Sequence, residues 1–303
     1  MEKFDNYYGT VSKLKEVVIK FITENNSRMI MLETGEADIS LDMGVMDLKS
    51  IKSNNSLDFI EVEAPTSQFV GFDTKNELLK DKRVRQAIAY AIDNTAITQA
   101  IYGDSATPGT SVVPPAMTDF NPNAKKYDLN TAKAKELLTQ AGYPNGFKAK
   151  IWTNDNGIRK DTAVILQDQL KQIGIDASIE ILEWGSYLDR LIRKEHDMFL
   201  LGWTPSPDAD SALYAVFHSK NHGSAGNRTY YTNARVDELL DKGRETTVEA
   251  DRLESYKEAQ NIIMDEVPLI PLVYPDNNVG MQKNIKGFEL DPENQHNLYP
   301  VSK

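Results

Sequence analysis

The sequence predicts an α/β fold with mostly parallel or mixed sheets, and three observations support this. Short apolar runs typical of strands alternate with longer runs in which apolar residues recur at helical spacing. Several helical runs end at a glycine, which tolerates positive φ because it has no Cβ. One run, residues 198–203, is apolar throughout, as expected of a strand that is buried on both faces.

The elements follow in order along the 303 residues. Residues 17–22 (VVIKFI) predict a strand, Ser27 can cap a helix over 28–32 that Gly35 ends, and residues 37–41 predict a second strand. Apolar spacing predicts one helix over residues 82–101. Beyond it, the patterns predict helices over 131–141, 161–173, 186–193, 236–246 and 251–265, and strands over 149–152, 176–182, 198–203 and 269–274.

The composition excludes several classes of function. The net charge of −11, from 45 acidic and 34 basic side chains, repels polyanions, so no nucleic-acid partner is expected. Cysteine is absent, which removes disulfides and thiolate chemistry. No apolar run reaches the ~18 to 20 residues of a membrane span, and the first residues carry no export signal. We therefore expect a cytoplasmic protein, or an exported one whose amino-terminal part lies outside the chain.

Catalytic and metal-binding patterns are not recognisable in the sequence. It contains neither the GxSxG elbow of serine hydrolases nor the GxxxxGK loop of nucleotide hydrolases. His218 and His222 have a spacing that can bind metal on a helix, but the GSAG that follows argues against a helix there. A glycosidase pair could lie among the carboxylates, most of which are expected at the solvated surface. We expect no enzyme activity, no cofactor and no metal ion.

The loop after the apolar strand, residues 204–210 (TPSPDAD), is the best candidate for a binding site. Ligands of open α/β sheets bind at the carboxyl ends of strands. Asp208 and Asp210 lie in this loop without a basic residue nearby in the sequence, so they can attract a cationic ligand group. The alternative is that these acids form the turn through hydrogen bonds to the backbone.

A series of motifs runs in order through nearly the whole chain. The motifs are RVRQAIAYAID at 83–93, YG at 102–103, PP at 114–115, YD at 127–128, AKAKELL at 132–138, AGY at 141–143, EWGSYL at 183–188, GW at 202–203, LY at 213–214, FHS at 217–219 and GNR at 226–228. The series resembles the family 5 extracellular solute-binding proteins, which include the dipeptide, oligopeptide and glutathione binders of bacterial ABC importers.

The resemblance implies a periplasmic-binding-protein-like clamp of type II, in which two α/β lobes close around a ligand. Residues 7–39 resemble the middle of such proteins, so we expect one complete and one truncated lobe. The chain would cross between lobes near residues 69–72 and 274–276. Residues 71–274 would form the complete second lobe, and residues 1–70 with 275–303 the remnant of the first.

The resemblance also implies ligand contacts after the GW strand. In peptide binders of the family, backbone groups there pair with an extended peptide, and the matching residues here are Gly202, Trp203 and Thr204. The family's amine-binding aspartate stands three residues after the tryptophan. Ser206 occupies that position in this chain, so Asp208 or Asp210 is predicted to replace it.

Three further residues are predicted to contact ligand. Phe69 and Tyr274 lie beside the inferred crossings and could cover apolar parts of a ligand, although core packing beside a hinge is the alternative. Arg228 follows a Gly-Asn turn and could meet a ligand carboxylate, or else pair with a surface acid.

The function implied by the resemblance is ligand capture for import, in which binding favours the closed state that the permease recognises. The expected partners are a peptide-like ligand, with the PDAD and FHSKN segments favouring glutathione, and the membrane subunits of an ABC importer. The full-length protein is expected to be a monomeric periplasmic protein or cell-surface lipoprotein, anchored only through an amino-terminal part outside this chain. The alternative is a ligand-sensing domain of a regulatory protein.

Overall fold

The computed structural model describes residues 1–22, 24–206 and 208–303, without the side chains of residues 45 and 46. The described residues form two compact units. Unit 1 comprises Met1–Ala64, Tyr102–Ser105 and Pro275–Lys303, and unit 2 comprises Pro65–Ile101 and Ala106–Tyr274. The predicted lobes were divided at residues 71 and 274, and the assignment of the units to lobes stays a prediction.

Unit 1 is built on a three-stranded antiparallel sheet. Its strands are β1 (Ile39–Leu41), β2 (Leu57–Val62) and β9 (Asn277–Gln282), with β9 in the middle. Helices α1 (Asn25–Glu33) and α2 (Val45–Ser53) pack on one face of this sheet. A Cβ on Gly280 would lie 2.7 Å from side-chain atoms of Leu32 and Ile51, so glycine at the centre of β9 lets both helices approach.

Unit 2 contains a six-stranded mixed sheet. Its strands are β3 (Ser67–Phe72), β4 (Ala106–Pro108), β5 (Lys148–Asn154), β6 (Asp176–Leu182), β7 (Met198–Trp203) and β8 (Leu269–Pro275). They lie in the order β4-β8-β3-β7-β5-β6. Strand β5 is parallel to β6 and β7, whereas β3 is antiparallel to β7 and β8. The α/β prediction is therefore confirmed, and the two strands expected at the crossings are neighbours.

Helices cover the sheet of unit 2. They are α3 (Lys82–Ala91), α4 (Asn94–Ile101), α5 (Thr131–Gln140), α6 (Gly157–Lys171), α7 (Trp184–Ile192), α8 (Ala209–Phe217), α9 (Ala234–Glu245) and α10 (Glu249–Glu266). The core between sheet and helices includes Trp152, Tyr187, Phe199 and Ile263. Helix α6 connects the parallel strands β5 and β6, which confirms the predicted strand, helix and strand unit.

Three local predictions were wrong. Residues 17–22 form no strand, and Phe21 is 93% exposed, because none of the described strands pairs with this segment. Residues 82–101 form two helices, since Ile92 is extended and the Asp93 carboxylate accepts a hydrogen bond from Ala96 N at the start of the second. Ser27 lies inside α1 rather than at its cap, which is Glu24.

Candidate functional site

The site predicted after the GW strand lies where β7 and β3 run side by side. Ser67 is opposite Trp203, and Gln68 is opposite Gly202. A Cβ on Gly202 would lie 2.5 Å from Nε2 of Gln68, so the glycine leaves room for the amide group of this side chain, which would have to move for a larger residue. Thr204 follows with an exposed side chain, and its hydroxyl is 3.0 Å from that of Thr66.

Phe69 and Trp203, predicted from different parts of the sequence, line one apolar depression in unit 2. The other residues around it include Val112, Pro114 and Leu269. Its volume of about 20 Å³ gives room for a single water molecule or methyl group. The depression can therefore receive a small apolar group, and a larger ligand must extend beyond it.

The Trp203 ring is fixed by the helix that follows. Its Nε1 donates a 3.0 Å hydrogen bond to Ser211 O, and the ring packs partly against the core. Phe69 is 6% exposed and contacts Phe199 edge to face, with 6.2 Å between ring centroids. Both aromatic residues thus combine core packing with a position at the edge of the depression.

Asp208 and Asp210 have no basic residue nearby in the sequence, but each pairs with an arginine from a later helix. Asp208 is the N-cap of α8, where its Oδ1 accepts a 2.7 Å hydrogen bond from Asp210 N, and its Oδ2 pairs with Arg252. Oδ1 of Asp210 lies 3.1 Å from Nε of Arg244. These arginines were missed because they come from α9 and α10, far along the chain. Pro207, in the same loop, lies outside the described residues.

Tyr274 lies in the core of unit 2. It is 4% exposed, and its hydroxyl accepts hydrogen bonds from the backbone N–H groups of Thr110 and Ser111 at 3.0 and 2.7 Å. Burial raises the pKa of this hydroxyl above its ordinary value. These contacts match the structural alternative for Tyr274, and its ligand contact stays a prediction.

Arg228 is half-buried, and burial lowers the pKa of its guanidinium. Its Nε is shielded from solvent without a hydrogen-bond partner, and no ion pair with a carboxylate of the described residues is found for it. The alternative of pairing with a surface acid is therefore not realised. Tyr187 and Tyr230 lie close enough to Arg228 to interact with its charge.

The structure adds a second arginine, Arg159, which the sequence analysis missed. It lies in the first turn of α6, just after the carboxyl end of β5. Its Nη1 donates to Oδ1 of Asn154 at 2.9 Å, its Nε is 3.4 Å from Oε1 of Gln68, and its guanidinium lies 5.9 Å from the Trp184 ring centroid.

Arg159 could have been found from its helix boundary. The apolar pattern predicted a helix start at residue 161, whereas the helix begins at Gly157 and Asn156 is its N-cap. A cation in the first turn after a parallel strand lies where α/β sheets bind ligands. The 45% exposure of the Trp184 side chain further marks this edge of the sheet as an open surface.

His218 and His222 contact side chains and backbone of their own unit. His218 is 1% exposed and lies 4.5 Å from the Tyr214 ring, and its Nε2 is 3.3 Å from Asp241 Oδ1. His222 Nε2 is 2.9 Å from Tyr231 O. Within the described part of the chain, no group of three or more histidine or acidic residues is arranged to hold a metal ion. In the same part, no helix is long and apolar enough to cross a membrane.

The chain matches known proteins along nearly its whole length. The family model for bacterial extracellular solute-binding proteins, family 5 Middle, matches residues 1–224. The glutathione-binding protein GsiB of Escherichia coli is 30% identical over 302 residues, which cover 97% of this chain and 59% of the relative.

Two solved structures are similar to the chain in fold. The ABC transporter-associated periplasmic binding protein DppA of Helicobacter pylori, in complex with peptide STSA, matches with a TM-score of 0.90 at 29% identity, over 99% of this chain and 60% of that one. A dipeptide binding protein of a Pseudoalteromonas species, in complex with Met-Leu, matches with a TM-score of 0.91 at 26% identity, over 100% of this chain and 61% of that one.

The family model and the glutathione-binding relative together show the family. The chain belongs to the bacterial extracellular solute-binding proteins of family 5, as the motif series indicated. It spans 59% of the length of the glutathione-binding relative. The periplasmic-binding-protein-like fold is confirmed for the part of the relatives that the chain spans, and the family is one of binding proteins rather than enzymes.

Proposed function

We propose that the protein binds peptides or peptide-like small solutes for uptake by an ABC importer. The family membership supports this, as do relatives whose names or bound ligands are glutathione, the peptide STSA and the dipeptide Met-Leu. These ligands are short peptides, and each has a carboxylate and an amine. The proposed site must therefore offer groups that recognise a zwitterionic backbone.

The observation that carries the proposal is a cation next to the predicted ligand edge. Nε of Arg159 lies 3.4 Å from Oε1 of Gln68, the residue opposite Gly202. Arg228 is a second cation, whose Nε is buried without a hydrogen-bond partner, and its contact with the ligand is part of the proposal. In a protein with a net charge of −11, a positive charge at this position favours anionic groups of a ligand. Guanidinium groups bind carboxylates through two parallel hydrogen bonds.

The remaining contacts are those that the family resemblance implies. The proposal assigns the apolar edge of the site to Phe69, Trp203 and the ring of Tyr274, and its backbone contacts to Gly202 and Thr204. The role of Asp208 or Asp210 as amine anchor stays a prediction, and the arginine partners of these acids add a requirement to it. Either carboxylate would have to exchange its arginine for the ligand's ammonium group.

The mechanism we propose for the whole protein is closure of two lobes, with unit 2 as the complete lobe. Ligand binding then stabilises the closed state, and the membrane subunits of the importer recognise it. The proposed location of the full-length protein is outside the cytoplasm, as a monomeric periplasmic protein or cell-surface lipoprotein.

The proposal is tested by NMR on the 303-residue chain. Glutathione, Met-Leu and STSA are added to about 10 mM, because only part of the site is expected in this chain and binding is expected to be weak. The expected result is chemical-shift changes at the amides of Gly202 and Thr204 with at least one of the three. Absence of changes there with all three would refute the site.

Variants then separate the two arginines from the rest of the surface. Arg159→Gln and Arg228→Gln should each weaken binding about 10- to 100-fold, the range expected for losing a charged hydrogen-bond partner. Arg235→Gln is the control, because Arg235 pairs with Glu258 on the outside of α9 and α10. Equal losses in all three variants would contradict a specific role for Arg159 and Arg228.

A further inference from the structure

Two arginines from helices late in the chain meet the two acids at the start of α8. Arg252 of α10 pairs through Nη2 with Oδ2 of Asp208. Arg244 of α9 lies 3.1 Å from Asp210 Oδ1, and its guanidinium stands 3.7 Å from the centroid of the Tyr214 ring. Both acids of the predicted ligand loop are thus tied to elements that have no part in the β3–β7 edge.

The same acids organise the backbone that follows β7. Asp208 N donates to Ser206 O at 2.7 Å, and Asp208 Oδ1 accepts from Asp210 N at 2.7 Å. The Ser211 hydroxyl is 2.8 Å from Ser206 O and 2.7 Å from Asp208 O. Ser211 O in turn accepts the hydrogen bond of the Trp203 indole. Hydrogen bonds therefore connect the Arg252 ion pair to the Trp203 side chain.

Aromatic contacts set the direction of both guanidinium groups. Arg252 lies 5.3 Å from the centroid of the Tyr256 ring, and the Tyr256 hydroxyl donates to Asp210 Oδ1 at 3.2 Å. Burial is the main reason that the pKa of Tyr256 is raised to about 12, so this hydroxyl remains a donor at all physiological pH values. The arrangement is a network rather than two isolated surface pairs. Ion pairs in networks with fixed geometry contribute to stability, whereas isolated surface pairs contribute little.

We propose that Arg244 and Arg252 are positioning residues of the candidate site, which hold the backbone after β7 so that Trp203 and Thr204 face the ligand. This inference rests on the proposed function. It also gives Asp208 and Asp210 a structural role as the acids through which the arginines act, in place of the anchor role predicted from the sequence.

The test is amide hydrogen exchange on the 303-residue chain without ligand, followed at Asp210 and Ser211. Arg252→Gln and Arg244→Gln should speed exchange at these amides about tenfold, because the acids lose the charges that fix them. Arg252→Lys should restore part of the protection. Raising NaCl from about 0.05 to about 0.5 M should speed exchange in the wild type but not in Arg252→Gln, which a role in packing alone would not produce.

Arg235→Gln is the matched control. Arg235 also belongs to α9, pairs with Glu258 of α10 at 2.9 Å and has a side chain 48% exposed, against 47% for Arg244. It should leave exchange at Asp210 and Ser211 unchanged. The inference is overturned if the Arg244 and Arg252 variants leave this exchange unchanged, or if the control speeds it equally.

A binding measurement distinguishes this inference from the anchor role. If Arg252→Gln tightens binding of Met-Leu, Asp208 is an anchor that Arg252 blocks, and the positioning role is overturned. If neither the wild type nor any variant binds a peptide, the binding site proposed in this chain fails, whereas the exchange result stands on its own.

Discussion

Replacing Arg85 with methionine should be one of the most damaging single changes in unit 2. Arg85 belongs to the RVRQAI motif of α3 and is 4% exposed. Its Nε and Nη2 donate to Glu266 O and Val267 O at 2.6 to 3.0 Å, and its Nη1 donates to Leu79 O and Lys80 O at 2.7 and 3.0 Å. The side chain thus joins the end of α10 to the start of α3.

The magnitude follows from the four carbonyl groups that Arg85→Met leaves without this donor. Each hydrogen bond to a charged group is worth about 1.5 to 3 kcal/mol. Part of this is offset, because burial lowers the pKa of Arg85 and its removal relieves that desolvation cost. We expect a net loss of about 3 to 5 kcal/mol, which corresponds to a fall of roughly 6 to 20 °C in the melting temperature of a unit of this size.

The assay is thermal and urea unfolding followed by circular dichroism. Arg83→Met is the control, since Arg83 lies on the same helix but pairs at the surface with Asp81. It should leave the melting temperature nearly unchanged. A loss below about 1 kcal/mol for Arg85→Met, or equal losses for both variants, would refute the claim that this motif arginine supports the fold.

Three further predictions concern pH, backbone strain and ligand affinity. His196 is 1% exposed, and burial lowers its pKa to about 4. The contribution of its neutral form to the free energy of unfolding should therefore be complete above pH ~6.5 and fall by up to about 3 kcal/mol as the pH drops towards 4. Urea midpoints at several pH values should show this slope in the wild type but not in His196→Gln. In urea unfolding, Gly146→Ala should destabilise unit 2 more than Gly142→Ala. Both glycines have positive φ, but only a Cβ at residue 146 would lie 1.8 Å from Gly174 O. Equal losses of unfolding free energy in the two variants would count against this contact. In calorimetry, the 303-residue chain should bind glutathione and dipeptides weakly or not at all, since it spans 59% of the length of its glutathione-binding relative and one wall of the proposed cleft is expected to be incomplete. Tight binding would contradict the two-lobe proposal.

Elements with a strong local pattern were predicted closely. The predicted bounds of β6 and β7 agree with the structure. The alternating pattern of β6 and the unbroken apolar run of β7 are each sufficient to predict a strand. Strand β9, with the sequence NNVGMQ, was missed because its strand conformation depends on pairing with β1 and β2. The segment 17–22 shows the reverse, since it has strand composition but no partner among the described strands.

The candidate site was predicted only in part, because some of its side chains depend on partners that are distant in the sequence. The GW strand was predicted with its observed bounds, and the structure places the strand that carries Phe69 beside it. Ligand contact at this edge stays a prediction. The N-cap of α8 was read as a ligand anchor, although Asp is also among the most favoured N-cap residues. The partner of that acid lies 44 positions later in the chain, a distance over which a single sequence carries no pairing information.

If this loop contributes to ligand preference, as proposed, the ion pairs at the start of α8 also limit how that preference can be moved between proteins. A grafted loop that carries Asp208 and Asp210 but not their arginines would place two uncompensated carboxylates at one helix end. The transferable piece is therefore the loop together with the facing surfaces of α9 and α10. Exchange of binding preference between relatives should succeed when these surfaces move as a set and fail when the loop moves alone.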